Sequence, residues 1–247
     1  MSLAEIITSL AEYDTSLIAE TIGHIDSTPP QDWSMGYTIQ CLRPEATPTV
    51  GVAVTLEIDS STPGNEWDFQ DFFDQYKAIE KMSVPTVLVV KAVGARPEHE
   101  CVMGDGLAKA LVTIGCGGIV TDGGVKDLEG MDGIPFGIYA RGRTPHCCPW
   151  RFRNPSKPVE VGGITVRPGD VIHANKQGVI KIPPSALEIL PERAAAMLAF
   201  EHRAHAIFRQ PSSFASIDEK RLMVSALLPE YGFKSAEWTR QGMGKKS

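Results

Sequence analysis

Two short glycine-flanked stretches carry the acidic and basic side chains that could do chemistry in this sequence. The first is Gly104-Asp105-Gly106-Leu107-Ala108, where an acidic residue stands at the predicted start of a helix. Unpaired backbone N–H groups and the positive end of the helix dipole make such a start a binding place for a carboxylate or a phosphate. The alternative is that Asp105 only caps the helix, which is a common role for aspartate there.

The second stretch, Asp122-Gly123-Gly124-Val125-Lys126-Asp127, directly follows the apolar run Ile119-Val120-Thr121. In open α/β sheets, ligands gather beyond the carboxyl ends of the strands, and paired glycines let the backbone approach a ligand closely. Asp122 and Asp127 would offer hard oxygen ligands for a divalent cation, and Lys126 a positive charge for an acid substrate. The alternative is a solvated turn with a local ion pair.

Three other motifs suggest sites, but none of them is adopted as a functional site. Gly115, Gly117 and Gly118 have no G-x-G-x-x-G register and follow a helix, so no nicotinamide site is expected. His146-Cys147-Cys148 lacks the C-x2-4-C spacing of a soft-metal site and is interpreted as a loop. The pair His202 and His205 lies three residues apart on a predicted helix, and we keep it only as a candidate for a subunit boundary.

Composition limits the class of protein. The 247 residues are 43% hydrophobic and carry a net charge of -6, which predicts a folded domain and argues against nucleic acid as a partner. No stretch reaches the roughly 18 consecutive apolar residues of a membrane span, so a soluble protein is expected. The five cysteines form an odd set without disulfide-scaffold spacing, and no signal-peptide pattern opens the chain, which favours a reducing cytoplasm.

The elements that must position these residues follow from hydrophobic periodicity. Two helices open the chain and end near Gly23, and the alternation from Val50 to Ile58 predicts a strand with one buried face. A core-facing helix is expected over residues 69–79, with Phe72, Phe73 and Ile79 in its apolar stripe. A buried strand at 86–90, a helix from Asp105 and a strand at 118–121 predict a parallel strand pair with a helical crossover. A strand at 135–140 and hairpin strands over 159–182 follow. The last predicted element is a helix from Pro184 to Arg209, interrupted at Pro191, with Leu198 among its core-facing residues. After Pro211 no periodicity is clear.

Together these motifs resemble the RraA-like family and its class II pyruvate aldolases. Asp105, twenty intervening residues and Lys126-Asp127 resemble the family's signature of an acidic residue, x20 and Arg-Asp. The neighbouring stretches resemble the family in the same order, over roughly residues 5–209: Gly104 to Ala108, Gly118 to Asp127, Ile134-Pro135, Ala140-Arg141-Gly142, Thr144-Pro145, Val161-Gly162-Gly163, Arg167 to Asp170 and Gly178-Val179-Ile180.

The resemblance implies a three-layer β/β/α fold, the swivelling phosphohistidine-domain-like architecture, with N-terminal helices and a long C-terminal helix. It implies one catalytic domain over residues 1–210, followed by an extension of unknown role over 211–247. It also implies a homotrimer with the active site at a subunit boundary.

The resemblance also implies a divalent cation, Mg²⁺ or Mn²⁺, held by Asp127 and, through water, by Asp105 and a glutamate of the neighbouring subunit. That glutamate matches Glu201 best, with Glu192 as the alternative. The backbone amides of Gly104 to Leu107, including Gly106, would bind the carboxylate of a 2-oxo acid. Asp105, Lys126 and Asp127 would then be the catalytic residues of a lyase that releases pyruvate from 4-hydroxy-4-methyl-2-oxoglutarate, with oxaloacetate decarboxylation passing through the same enolate.

One residue departs from the family pattern. Lys126 stands where the family has an arginine, and an ammonium cannot reproduce the planar bidentate contact of a guanidinium. The lysine opens a Schiff-base mechanism, which ranks below the metal mechanism because Asp105 and Asp127 favour a charged lysine. It also leaves open a second function, that of a non-catalytic RraA-type regulator that binds and inhibits a ribonuclease.

Overall fold

The computed structural model describes residues 1–45, 48–146 and 149–234, and these contain seven α-helices and thirteen strands. The helices are α1 (Leu3–Leu10), α2 (Thr15–Ile25), α3 (Phe69–Glu80), α4 (Asp105–Thr113), α5 (Pro184–Leu187), α6 (Leu190–Phe208) and α7 (Ile217–Leu227). The strands are β1 (Gln40–Cys41), β2 (Thr49–Asp59), β3 (Thr86–Ala92), β4 (Cys101–Met103), β5 (Cys116–Thr121), β6 (Gly124–Val125), β7 (Gly137–Ala140), β8 (Gly142–Arg143), β9 (Arg151–Arg153), β10 (Val159–Val161), β11 (Ile164–Val166), β12 (Val171–Asn175) and β13 (Gly178–Ile182).

The main sheet has the strand order β1-β7-β5-β3-β2-β12-β13, with β9 paired to the end of β2. Strands β2, β3, β5 and β7 run parallel, and the predicted parallel pair of β3 and β5 is confirmed, with α4 between them. The hairpin strands predicted over 159–182 are the antiparallel pairs β10–β11 and β12–β13. The parallel strands therefore end at one edge, beyond which the predicted site residues follow.

The sheet is covered on both faces, which gives the three layers of the expected β/β/α fold. One face packs against the helices, with Val50, Val52 and Leu56 of β2 among the buried side chains. The other face packs against the β10–β11 hairpin, where Ala53 of β2 belongs to the buried cluster. The prediction of a single buried face for β2 is therefore wrong. Its small and polar positions are buried too, because the hairpin covers them, and the Thr55 hydroxyl donates to the Lys157 carbonyl at 2.6 Å.

A second sheet of three short parallel strands, β4-β6-β8, stands beside the carboxyl edge of the main sheet. Strand β4 leads through Gly104 into α4, and β6 leads directly into Lys126. The Lys126 N–H donates to the Met103 carbonyl at 2.9 Å. This small sheet therefore fixes the start of α4 against the loop that carries Lys126 and Asp127.

The helices agree with the periodicity in most places. Both N-terminal helices and α3 form as predicted, and the C-terminal helix is divided into α5 and α6, with Pro191 near the start of α6. Phe73 was expected in the core but is 54% exposed, because Phe72 and Ile79 form the side of α3 that packs inward. Leu198 was expected to pack inward as well, but it is exposed.

Helix α7 was missed after Pro211. Ser216 begins it with a capping box, in which its hydroxyl accepts from the Glu219 N–H at 3.3 Å and its own N–H donates to the Glu219 carboxylate at 2.7 Å. Val224 and Leu227 pack with Met197 and Phe200 of α6 in one buried cluster. Helix α7 thus packs on α6. That residues 211–247 form an extension separate from the catalytic domain stays a prediction. None of the helices that the structure describes has the length and hydropathy needed to cross a bilayer.

Candidate active site

Asp105 and Asp127 lie close together at the start of α4. Gly104 is the N-cap residue of α4 and has no side chain with which to cap it, so the first-turn N–H groups point to the loop in front of the helix. A Cβ atom placed on Gly104 would lie 3.2 Å from Oδ2 of Asp127 and 3.4 Å from Cε of Lys126. The Lys126-Asp127 pair therefore packs directly on the backbone that begins the helix.

Asp127 adopts a left-handed backbone conformation, with φ 56° and ψ 38°. Such a conformation is uncommon for residues other than glycine, although aspartate tolerates it better than most. It turns the chain back at the end of the β6 segment. Oδ2 of Asp127 lies 2.8 Å from Nζ of Lys126, and the Asp127 side chain is 46% exposed. A strained backbone and an accessible carboxylate at one residue are the pattern expected of a functional site.

Asp105 stands at the first position of α4 and forms an ion pair with Lys109, one turn further along, at 2.6 Å. The hydrogen bond from the Lys109 ammonium holds the pKa of Asp105 below its usual value, and the nearby charge of Lys126 acts in the same direction. Asp105 also packs against Gly130, where a Cβ atom would come within 2.5 Å of Oδ2. The carboxylate is thus ionised and confined between its own helix and the turn that follows Asp127.

Asp122 has another role than the sequence predicted. One of its oxygens accepts from the Ala92 N–H at 2.9 Å and the other forms an ion pair with Lys91. Its side chain is only 5% exposed. Asp122 therefore joins the ends of β3 and β5 and does not offer a ligand oxygen, because Lys91 and Ala92 of β3 engage both of its oxygens.

Glu201 lies on α6, in a cleft of about 240 Å³ between α2, α6 and α7. Burial, together with the charge and the hydrogen bond of Glu20, raises the pKa of Glu201. Its partner within the chain is therefore on α2, and it is not grouped with Asp105 and Asp127. His205 lines the same cleft, whereas Glu192 is exposed in the first turn of α6. That Glu201 completes the site of a neighbouring subunit stays a prediction.

Several residues around the site were not singled out from the sequence. The Asp105–Lys109 pair has the i,i+4 spacing that predicts an ion pair on a helix, so the sequence did contain that signal. Gly130 and the ion pair of Glu129 with Arg143, at 3.0 Å, depend on a turn and a strand pairing that no short-range pattern revealed. The sequence motif His146-Cys147-Cys148 extends outside the described residues.

A protein-family model described as RraA-like, Aldolase/RraA, matches residues 28–181, which is more than half of the chain. The chain belongs to the RraA-like family. The match includes Gly104 to Asp127 and the small sheet that positions them, so the predicted family and fold are confirmed. Glu201 and α7 lie outside the matched residues.

Individual RraA-like proteins agree with this assignment. A relative from Halalkalibacterium halodurans, with the provisional name 4-hydroxy-4-methyl-2-oxoglutarate aldolase, is 28% identical over 200 residues, covering 78% of this chain and 85% of the relative. A relative of the same provisional name from Thermus thermophilus is 28% identical over 116 residues, covering 47% and 70%. The crystal structure of RraAS2 from Streptomyces coelicolor, described as an unusual member of the RNase ES inhibitor RraA family, has a TM-score of 0.60 at 21% identity, covering 81% and 96%.

Proposed function

We propose that this RraA-like protein is a divalent-metal-dependent lyase that releases pyruvate from 4-hydroxy-2-oxo acids, with oxaloacetate decarboxylation as a second reaction of the same site. The observation that carries the proposal is the pair of accessible carboxylates, Asp105 and Asp127, set against the start of α4 beside Lys126. The provisional aldolase names of two relatives support it. The catalytic unit is residues 1–210, with 211–247 as an extension.

The residues present fit a hard divalent cation. No group of three or more His, Cys, Asp or Glu side chains arranged for a metal is found among the described residues, which argues against a closed structural site. Mg²⁺ keeps several waters and is often held by one or two carboxylates together with the substrate. Asp127 would hold Mg²⁺ or Mn²⁺ directly, and Asp105 would hold it through water. In a homotrimer, Glu201 of the neighbouring subunit would also bind through water.

The chain itself supplies binding, charge and proton transfer. A carboxylate of the 2-oxo acid binds the N–H groups of Gly104 to Leu107, which carry the positive end of the α4 dipole. Lys126 adds a positive charge beside this position. Asp105, ionised because Lys109 lowers its pKa, accepts the proton from the 4-hydroxyl group as the C3–C4 bond breaks, and it then returns a proton to C3 of the enolate, which gives pyruvate. A bound divalent cation would polarise the 2-oxo group and stabilise the enolate of pyruvate.

The test is pyruvate release from 4-hydroxy-4-methyl-2-oxoglutarate and from oxaloacetate, measured in a coupled assay with Mg²⁺, with Mn²⁺ and with EDTA. The proposal predicts turnover with either cation and none with EDTA. Mg²⁺ or Mn²⁺ should also raise the melting temperature of the substrate-free protein, because a ligand that binds only the folded state stabilises it. No pyruvate from either substrate at any metal concentration would reject the lyase.

The second candidate function is a regulator that binds and inhibits a ribonuclease. The observation that favours it is Lys126, which replaces the family's arginine and is paired with Asp127. The discriminating measurement is inhibition of ribonuclease ES from Streptomyces coelicolor by the wild-type chain and by Asp127→Asn. A regulator would inhibit the nuclease in both forms and release no pyruvate.

A further inference from the structure

The ion pair of Arg143 with Glu129 forms a charged rim beside the Asp105–Asp127 pair. Nη1 of Arg143 lies 3.0 Å from Oε1 of Glu129, and the two side chains are 60% and 80% exposed. Glu129 lies two residues after Asp127, in the turn formed by Leu128–Met131. Its neighbour Gly130 is the residue against which the Asp105 carboxylate packs. Glu129 is thus the sequence neighbour of a residue that packs on Asp105.

Strand pairing fixes the backbone of Arg143 in this place. Strands β6 and β8 are parallel, with Val125 opposite Arg143, and the Thr144 N–H donates to the Val125 carbonyl at 2.9 Å. Lys126 therefore follows directly after the residue that pairs with Arg143. The backbone of Arg143 is therefore held by the same small sheet that positions Lys126 and Asp127.

The contact with Glu129 can be exchanged for a contact with a ligand. An ion pair between two well-exposed side chains contributes only about 0–1 kcal/mol, because water and salt screen it. A guanidinium binds a carboxylate through two parallel hydrogen bonds, which an ammonium cannot reproduce. The two other cations of the site are paired with its own carboxylates, Lys109 with Asp105 and Lys126 with Asp127. Arg143 is paired instead with a glutamate on the rim.

We propose that Arg143 binds the distal carboxylate of a dicarboxylic 2-oxo acid in exchange for Glu129 and so makes the site select diacids over monoacids. This inference rests on the proposed function, in which the first carboxylate of the substrate occupies the start of α4. It assigns to Arg143 the guanidinium contact that Lys126 cannot make. Glu129 keeps the arginine beside the site when no substrate is bound.

Binding of stable analogues tests the inference without turnover. Titration calorimetry with 2-oxoglutarate, a diacid, and 2-oxopentanoate, a monoacid of the same chain length, would be carried out with Mg²⁺ present. Arg143→Ala should weaken 2-oxoglutarate binding by roughly tenfold to hundredfold, the effect of losing a charge-assisted hydrogen bond, and leave 2-oxopentanoate unchanged. Arg143→Lys should restore part of the difference. Arg167→Ala, which removes an exposed guanidinium beyond β11, is the matched control and should change neither affinity.

A double-mutant cycle distinguishes exchange from general electrostatics. Glu129→Gln should tighten 2-oxoglutarate binding, because it removes the group that competes for Arg143. If the gain comes from releasing the arginine, it disappears in the double variant Glu129→Gln, Arg143→Ala. A gain that persists in the double variant would mean that Glu129 only repels anions, and it would overturn the exchange.

Turnover separates failure of this inference from failure of the proposed function. With the inference correct, Arg143→Ala lowers kcat/KM for 4-hydroxy-4-methyl-2-oxoglutarate and leaves it unchanged for the monoacid 4-hydroxy-2-oxopentanoate. Equal losses on both substrates, or no loss on either, would overturn the role of Arg143 while leaving the lyase intact. A wild-type protein that neither cleaves these substrates nor binds 2-oxoglutarate would overturn both.

Discussion

The ammonium nitrogen of Lys126 lies 2.8 Å from Oδ2 of Asp127, the next residue in the chain. The left-handed conformation of Asp127 turns the chain at this point. Asp105 begins α4 directly after Gly104, and the charge of Lys126 lowers the pKa of its carboxyl group, so both carboxylates lie near the lysine. Neighbouring carboxylates favour the charged form of a lysine, and a protonated amine is not a nucleophile. The geometry therefore favours Lys126 as a binding charge over Lys126 as a Schiff-base catalyst.

Reductive trapping tests whether Lys126 forms a Schiff base with a 2-oxo acid. Incubation with pyruvate and sodium borohydride should leave Lys126 unmodified, because no imine forms on a charged amine. Peptide mass spectrometry reads the outcome, and pyruvate with a known Schiff-base aldolase serves as the positive control. A stable pyruvyl adduct on Lys126 would replace the metal mechanism with covalent catalysis.

Substitution of Lys126 by arginine should strengthen substrate binding. A guanidinium can bind a carboxylate through two hydrogen bonds, so Lys126→Arg should lower KM for oxaloacetate by roughly tenfold or less and leave kcat similar. Lys126→Met, which keeps the length of the side chain and removes the charge, should raise KM instead. The steady-state parameters of both variants check the prediction, and a lower KM in the methionine variant would contradict it.

Gly130 is required for the position of the Asp105 carboxylate, because a larger residue would clash with it. In Gly130→Ala the new Cβ atom would stand 2.5 Å from Oδ2 of Asp105, so the carboxylate must move. A displacement of this size at a catalytic group should lower kcat by roughly tenfold to hundredfold. Gly23→Ala is the matched control, because no atom lies within 4 Å of its Cβ position in α2. It should keep kcat and raise stability by about 0.5–1 kcal/mol. Full activity in Gly130→Ala would mean that Asp105 takes no part in the reaction.

His173 should make the free energy of unfolding depend on pH. It is buried in β12, where Nδ1 contacts the Thr15 hydroxyl at 2.9 Å and Nε2 contacts the Leu10 carbonyl at 3.0 Å. Burial lowers its pKa from 6.5 to about 4. Between these pH values the unfolded chain binds more protons at this residue. The contribution of His173 is therefore fully present above pH 6.5 and is lost as the pH falls towards 4.

One pKa unit corresponds to about 1.4 kcal/mol, so the total effect of His173 is roughly 3 kcal/mol. Urea denaturation at a series of pH values measures it. His173→Gln keeps hydrogen-bonding groups but does not titrate, so its free energy of unfolding should fall less steeply over this window. The same slope in both proteins would contradict the buried, neutral histidine.

Local patterns predicted the elements that carry the site, and long-range packing decided the rest. The glycines around Asp105 and the apolar run before Asp122 were sufficient to place α4 and β5 at one edge of the sheet. Alternation along β2 could not show that the β10–β11 hairpin, a hundred residues later, covers its second face. Helix α7 is weakly amphipathic, so its capping box was the available signal.

The sequence indicated which two motifs meet, but not the contacts around them. Asp105 and Lys126-Asp127 do lie together, as the helix start at Asp105 and the loop after the strand at 118–121 indicated. Asp122 looked equivalent to Asp127 in sequence, but Lys91 on the neighbouring strand engages it, and strand neighbours are not visible in a local pattern. The position of Arg143 could not be predicted for the same reason, because it depends on the pairing of β6 with β8.

Pyruvate release by Asp127→Asn, compared with Asp132→Asn, tests whether Asp127 holds the catalytic metal. Asp132 is an exposed aspartate five residues further along, so the two variants make the same chemical change inside and outside the site. Both proteins would be assayed with 4-hydroxy-4-methyl-2-oxoglutarate and Mn²⁺, and Mn²⁺ binding would be followed by electron paramagnetic resonance. We expect Asp127→Asn to lose Mn²⁺ binding and to lower the activity roughly a thousandfold or more, and Asp132→Asn to keep the Mn²⁺ binding and the activity of the wild type. Equal activity and equal Mn²⁺ binding in the two variants would contradict the metal-dependent site at Asp127.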